Sequence, residues 1–192
     1  MSLVVVENVT LDGVMQSPGR PEEDTRGGFD LGGWGARYGD EVMGREMGKR
    51  MARRGSMLLG RRTYLDFYSV WPHRTDNPYT DVLNRTRKYV VSRTLEEPLP
   101  WMNSTLLRGD AAETVAELKR DHADDIAVLG SGELVRSLLR GRLVDELLLS
   151  IHPLVLGRGR RLFEDGAGEV KLQLVESVPT TTGVIIATYR VA

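Results

Sequence analysis

Cysteine is missing from all 192 residues of the chain. Its absence excludes disulfides, a thiolate nucleophile, and zinc or iron–sulfur sites held by sulfur. Histidine is scarce: His73, His122 and His152 are scattered without metal-ligand spacing, so no metal is expected and none of the three is assigned a role. No apolar run approaches the roughly 20 residues that a membrane-spanning helix needs. The N-terminal residues lack the basic segment, apolar stretch and small-residue cleavage site of a secretion signal, which leaves the cytoplasm as the expected compartment. An excess charge of either sign is lacking too, the net value being -1. Nothing global therefore draws the protein to nucleic acid or to an acidic membrane. Even Arg158-Gly159-Arg160-Arg161 reads as a solvated turn in this near-neutral background.

What is present suits one globular domain spanning 1–192, with a hydrophobic share of 41% to fill its core. Leu3 to Val9 is a nearly continuous apolar run, the pattern of a strand buried on both faces. Periodicity then vanishes from Thr10 to Tyr38, where Gly, Pro and acidic residues make a long loop. Loops of such length are functional or mobile. Asp40 to Arg54 is expected to be a helix with Met43, Met47 and Met51 on one face. Strands are expected at 56–59, 88–91, 105–107 and 126–129, and helices at 62–68, 110–121 and 132–140. Between the second and third strands, Trp71-Pro72 and Asn77-Pro78 punctuate a loop. Leu147 to Leu156 is strongly apolar, and 171–178 with 183–191 reads as a closing antiparallel hairpin. Strands alternating with helices, then a hairpin, predict a three-layer α/β sheet, mostly parallel with an antiparallel edge.

Three of these junctions share one grammar, an apolar strand that stops at small or basic residues, followed by a helix start. They are Met57-Leu58-Leu59 into Gly60-Arg61-Arg62-Thr63, Tyr89-Val90-Val91 into Ser92-Arg93-Thr94, and Ile126-Ala127-Val128-Leu129 into Gly130-Ser131-Gly132-Glu133-Leu134. Parallel strands line up such ends along one edge, where helix N-termini and free N–H groups gather. That edge is a cradle for a phosphorylated nucleotide. The bland reading of each is a strand-to-helix turn with solvated arginines, or a serine capping a surface loop.

These motifs, taken in order with Val9-Thr10-Leu11-Asp12-Gly13, Val144-Asp145-Glu146-Leu147 and Pro153 through Gly159, resemble the dihydrofolate reductase-like superfamily. Within it, the chain is similar to stand-alone relatives of the reductase domain of the riboflavin-biosynthesis deaminase–reductase, from about Val4 to Arg190. The zinc deaminase half of that enzyme needs cysteines that this chain lacks. The resemblance implies a three-layer α/β/α fold and an NADPH-dependent reductase of a small heterocyclic substrate. In the riboflavin branch that substrate is a phosphoribosylaminopyrimidine, and in the folate branch a dihydropterin. A non-catalytic dinucleotide-binding protein of the same fold is the alternative. It further implies a homodimer, through a hairpin whose apolar alternation otherwise leaves an edge exposed.

By resemblance, Gly60, Arg61, Arg62 and Thr63 face the cofactor phosphates, and a basic residue there favours a 2′-phosphate. Ser92, Arg93 and Thr94 complete that adenosine end. Gly130, Ser131, Gly132, Glu133 and Leu134 form the turn beneath the pyrophosphate, with Ser131 where relatives carry a second glycine. Asn8, Thr10, Asp12 and Gly13 border the nicotinamide and substrate, although Asp-Gly is also a plain turn signal. Asp40, on the face of the three methionines, is the candidate for binding and protonating a ring. Its bland reading is a carboxylate complementing the helix dipole. Asp12 is the other candidate acid. Trp34, Tyr38, Tyr64 and Trp71 offer a flat wall for a heteroaromatic, or ordinary packing.

Overall fold

The computed structural model describes residues 1–52, 55–77, 79–166 and 168–192. Eight strands form one sheet: β1 (Leu3–Thr10), β2 (Ser56–Gly60), β3 (Arg87–Val91), β4 (Ser104–Leu107), β5 (Ile126–Leu129), β6 (Glu146–His152), β7 (Leu172–Pro179) and β8 (Ile185–Val191). Their order is β4-β3-β2-β5-β1-β6-β8-β7. The first six run parallel, and β8 lies antiparallel between β6 and β7. This is the dihydrofolate reductase-like arrangement expected from the sequence.

Helices cover both faces because successive side chains of a strand point to opposite sides. On one side, helices α4 (Ala111–Asp121) and α5 (Gly132–Arg140) press Val115, Leu134, Val135 and Leu138 against Leu3, Val5, Val128 and Leu147. On the other, α1 (Glu41–Ala52) lays Met43 and Met47 on Val4, Leu148 and Ile186. Beside it α2 (Arg61–Val70) packs Tyr64 against Leu59, Val90 and Trp101. Arg53 and Arg54, the expected end of α1, lie outside the described residues. A short helix, α3 (Tyr79–Arg85), occupies part of the segment expected to be loop; its first turn is begun by the Asn77 side chain, which accepts from Tyr79 N at 2.9 Å.

The far edge of the sheet is bare. Leu172, Leu174, Val175 and Ile185 of the β7–β8 hairpin are all exposed. By contrast β3, next to the opposite edge strand, holds a charge inside: Lys88 is wholly buried. Its ammonium donates to the carbonyls of Leu83 (2.7 Å), Asn84 (3.2 Å) and Thr86 (2.7 Å) at the end of α3 and sits 4.4 Å from the Trp101 ring centroid. These contacts tie α3 to the sheet. Replacing Lys88 by Met keeps the volume and takes the ammonium from all three carbonyls, of which Asn84 O keeps a second donor in Asn103 Nδ2 (3.1 Å). Chemical denaturation of Lys88→Met is expected to show a loss of about 1–3 kcal/mol, the range for orphaned buried polar groups.

Candidate functional site

Because β3, β2 and β5 are parallel neighbours, Gly60, Ser92 and Gly130 meet along one carboxyl edge. Gly60 is paired with Val91, and its N–H donates to Ser131 Oγ at 2.9 Å. The same hydroxyl donates to Thr63 Oγ1 at 2.7 Å. Arg61 reaches across to Thr94 Oγ1 at 2.6 Å. Gly130 and Ser131 both take left-handed backbone, with φ of 53° and 69°, which turns the chain sharply into α5. A Cβ on Gly130 would meet Thr63 atoms at 3.2 Å, and one on Gly132 would lie 2.4 Å from Met15 Sδ. At 132 the near neighbours are the ends of the Met15 and Arg136 side chains, so a larger residue there would displace flexible groups, whereas Gly130 is fixed by its left-handed φ.

The helix starts here differ from those elsewhere. At α1, Asp40 Oδ1 accepts from Met43 N at 2.7 Å, and at α4 Asp110 accepts from Ala112 and Glu113 N. Among the described residues no side chain caps α2 or α5. Ser131, the residue placed to cap α5, has turned its hydroxyl to Gly60 and Thr63 instead. Two first turns of free N–H groups therefore stand side by side, the arrangement that binds anions. Arg61, Arg62 and Arg93 are exposed around them. At Ser92 the expected helix start is instead a turn leading to β4, because Ser92 Oγ is spent within it, accepting from Thr94 N (3.1 Å) and Leu95 N (3.0 Å). Glu133 Oε1 gathers guanidiniums from Arg26 (3.4 Å), Arg62 (3.3 Å) and Arg160 (2.9 Å).

Both candidate acids turn out to be structural ties. Asp40 Oδ2 accepts from Thr181 N (2.7 Å), Thr181 Oγ1 (2.6 Å) and Thr182 N (3.3 Å), fastening α1 to the hairpin turn. The Thr181 hydroxyl and these amides hold its carboxyl below the usual range. Asp12 accepts from Thr10 Oγ1 (2.5 Å), Leu156 N (3.2 Å) and Gly157 N (2.8 Å). Partial burial acts to raise that carboxyl, but these donors outweigh it and lower the pKa. Carboxylates so saturated are poor proton donors.

Two aromatic candidates are likewise committed. Tyr64 is fully buried, its oxygen accepting from Trp101 N at 2.9 Å, so it forms core and no substrate wall. Trp34 is buried with Val14 and Phe29 in a small core of the β1–α1 loop, donating through Nε1 to Gln16 O at 2.7 Å. Asn8 behaves otherwise. It is exposed in the middle of a buried strand, on the α1 side of the sheet, with Thr10 beyond it paired to His152.

Several residues at this edge were passed over in the sequence. His152 is buried edge-on to Trp34 and Tyr38, with Nδ1 3.0 Å from Ser150 O, and burial pushes its pKa down. The β1–α1 loop is zipped to the β6–β7 loop through a Val14–Arg161 bridge and anchored to α2 by Arg20 and Asp66 (2.5 Å). Glu7, embedded in the apolar run of β1, is buried, and its Oε1 has no hydrogen-bond partner among the described residues. Burial pushes its carboxyl up to about 8. Only its charge within a hydrophobic run could have signalled it. An open cavity of about 880 Å³ lies at the opposite edge, among Met1, Arg140, Lys171 and Ala192, away from all these groups. Among the described residues no cluster of His, Asp and Glu is arranged to hold a metal.

Residues 2–186 match the family described as the RibD C-terminal domain. The chain is 30% identical over 143 residues to the uncharacterized protein YyaP of Bacillus subtilis (strain 168), covering 70% of this chain and 73% of that one. Among solved structures it superposes on a Shewanella sp. PV-4 protein described as a candidate riboflavin biosynthesis protein, with TM-score 0.69, 20% identity and coverage of 100% and 99%. It also superposes on dihydrofolate reductase from Enterococcus faecalis, complexed with NADP(H) and RAB-propyl, with TM-score 0.63, 13% identity and coverage of 99% and 96%. At such identities the two structures establish the fold alone.

The buried imidazole carries a pH consequence. Unfolded His152 titrates near 6.5 and the folded one lower, so the unfolded chain binds the extra proton as pH falls through that window. Stability is therefore lost on acidification below about 6.5. Denaturation midpoints of His152→Gln, compared with wild type from pH 7 to 5, are expected to show a shallower fall; parallel curves would remove His152 from the account.

Proposed function

The chain belongs to the RibD C-terminal domain family, and from that premise we propose that it is an NADPH-dependent reductase of a small heterocyclic substrate. The kind of reaction it fits is reduction of 5-amino-6-(5-phosphoribosylamino)uracil. The observation that carries this reading is the pair of uncapped helix N-termini at one sheet edge. A diphosphate fits there: the first-turn amides of α2 and α5 supply donors, and glycine at 130 and 132 keeps side chains out of its way. Arg61 and Arg93, at the ends of β2 and β3, are the forked donors for a 2′-phosphate; Arg62 stands beside them. When bound, the reduced nicotinamide supplies a hydride.

The remaining work belongs to the protein. Asn8, open to solvent on the α1 side of the sheet, offers one donor and one acceptor to the edge of a heterocycle, with Thr10 next on that face. The β1–α1 loop, held by Asp12 and by Arg20, is the segment beside them that would close over a bound substrate. Positioning and desolvation of this kind supply most of what hydride transfer asks of a protein. A dihydropterin reductase is the weaker reading, because Asp40, the carboxylate such a reaction would use, is occupied by Met43, Thr181 and Thr182. The bare hairpin edge, with Leu172, Leu174 and Ile185 exposed, is proposed as a homodimer interface, since an unpaired apolar edge strand is otherwise a liability.

Titration with NADPH and NADH, followed by NADPH oxidation with the aminopyrimidine and with dihydropterin, tests the reading. Replacing Arg61 and Arg93 together by Ala is expected to weaken NADPH by about 1.5–3 kcal/mol, the range for charge-assisted bonds, and NADH far less. Equal losses for both dinucleotides would refute the 2′-phosphate assignment, and tight binding without turnover would mark a nucleotide-binding protein. Light scattering of Leu174→Arg is expected to report a monomer where the wild type is a dimer.

A further inference from the structure

The edge proposed above to bind a diphosphate already carries an anion of its own. Glu133 is the second residue of α5 and Arg62 the second of α2, so their 3.3 Å contact spans the two open first turns. Onto the same Oε1 come Arg26 from the β1–α1 loop (3.4 Å) and Arg160 from the β6–β7 loop (2.9 Å). One carboxylate thus gathers two helices and two loops.

This cluster is built to come apart. The Glu133 side chain is 62% exposed and the three guanidiniums are partly so, and ion pairs open to water are held weakly and part at little cost. Among the described residues Glu133 is the one carboxylate paired with Arg62 and Arg160. Arg26 has a second and closer partner in Asp24 (2.5 Å), so removing Glu133 would free two guanidiniums and leave the third engaged. The position also suits a negative charge for a separate reason. A carboxylate in the first turn of a helix is favoured by the helix dipole. Glu133 therefore draws on the same partial charges and the same forked donors that a phosphate at this edge would use.

We propose that Glu133 is a tethered substitute for a ligand phosphate and sets the affinity of the dinucleotide site, a role that rests on the reductase reading above. Without ligand, its carboxylate occupies the guanidiniums of Arg62 and Arg160. A diphosphate brings two negative charges and more acceptor oxygens than one carboxylate, and it draws on the first-turn amides as well. Its arrival displaces Glu133 toward solvent. Arg62 and Arg160 then pass from carboxylate to phosphate, and the loop bearing Arg160 closes on the ligand instead of on α5. The displaced charge stays nearby and opposes the diphosphate. Glu133 thereby holds affinity down and keeps release of the spent dinucleotide fast, a step that limits turnover in many enzymes.

The test compares wild type with Glu133→Gln, which keeps the shape of the side chain and removes its charge. Both are expected to melt together, because the pairs lost are exposed. Fluorescence titration at low salt is expected to show Glu133→Gln binding NADPH and NADH about fivefold or more tighter than wild type. The factor is expected to be similar for the two, since the diphosphate is common to both, and to shrink as salt is raised. Glu133→Thr, a second uncharged replacement, is expected to give the same gain, and stopped-flow displacement to place it in slower release. A carboxylate that only props the arginines in position predicts the opposite sign. Weaker or unchanged binding by both variants therefore overturns the proposal and leaves the reductase reading standing. So does a gain confined to NADPH, which would set Glu133 against the 2′-phosphate instead. Failure of wild type to bind either dinucleotide overturns the reductase reading and this role with it.

Discussion

One hydroxyl ties the edge of this molecule together. Ser131 accepts from Gly60 N and donates to Thr63, so the turn after β5 is locked to the turn after β2. The contact has two consequences. It fixes the first turns of α2 and α5 side by side, and it diverts the one side chain that would otherwise cap α5. A helix N-terminus left open is a reservoir of N–H donors and partial positive charge. In the reading proposed above, two held at fixed separation make a preorganised anion site whose geometry is set before any ligand arrives.

Around this fixed edge, the loops are held by polar ties that can be exchanged. Asp12 holds the β6–β7 loop by its amides, Arg20 holds the β1–α1 loop to α2, and Glu133 collects Arg26, Arg62 and Arg160. The last cluster is mostly exposed, so each pair contributes little to stability. Arg26 is also paired with Asp24, so three guanidiniums meet two carboxylates, and a phosphate group entering the edge would find donors already gathered. Rigid amides below and exchangeable arginines above are a division of labour suited to binding a ligand and then closing over it.

How much of this was readable in advance followed from which signals are local. Strand-to-helix junctions at Gly60 and Gly130 announce themselves through apolar runs ending in small residues, and parallel pairing then brings them to one edge. The departure at Ser131 was visible as a residue, but its role was not, because its partners Gly60 and Thr63 are distant in sequence. Asp12 and Asp40 were legible as acids near the edge. What they bond to, Leu156 and Gly157 in one case and Thr181 and Thr182 in the other, depends on loop packing that no periodicity encodes. Tyr64 shares a helix with Arg61 and Arg62, yet a helical turn carries it to the core side and onto Trp101. Helix α3 was obscured by Asn77 and Pro78, read as loop punctuation where Asn77 in fact opens the helix. Glu7 was hidden by its own neighbours, since an apolar run draws the eye past a single acid.

The central claim is that the open first turns of α2 and α5 hold the diphosphate of a dinucleotide. Amide chemical shifts of ¹⁵N-labelled protein titrated with NADP⁺ test it most directly. Saturable shifts concentrated at the backbone N–H groups of Arg61, Arg62 and Thr63 and of Gly132, Glu133 and Leu134 are the expected result. Shifts that spare both turns and gather elsewhere on the molecule would contradict it.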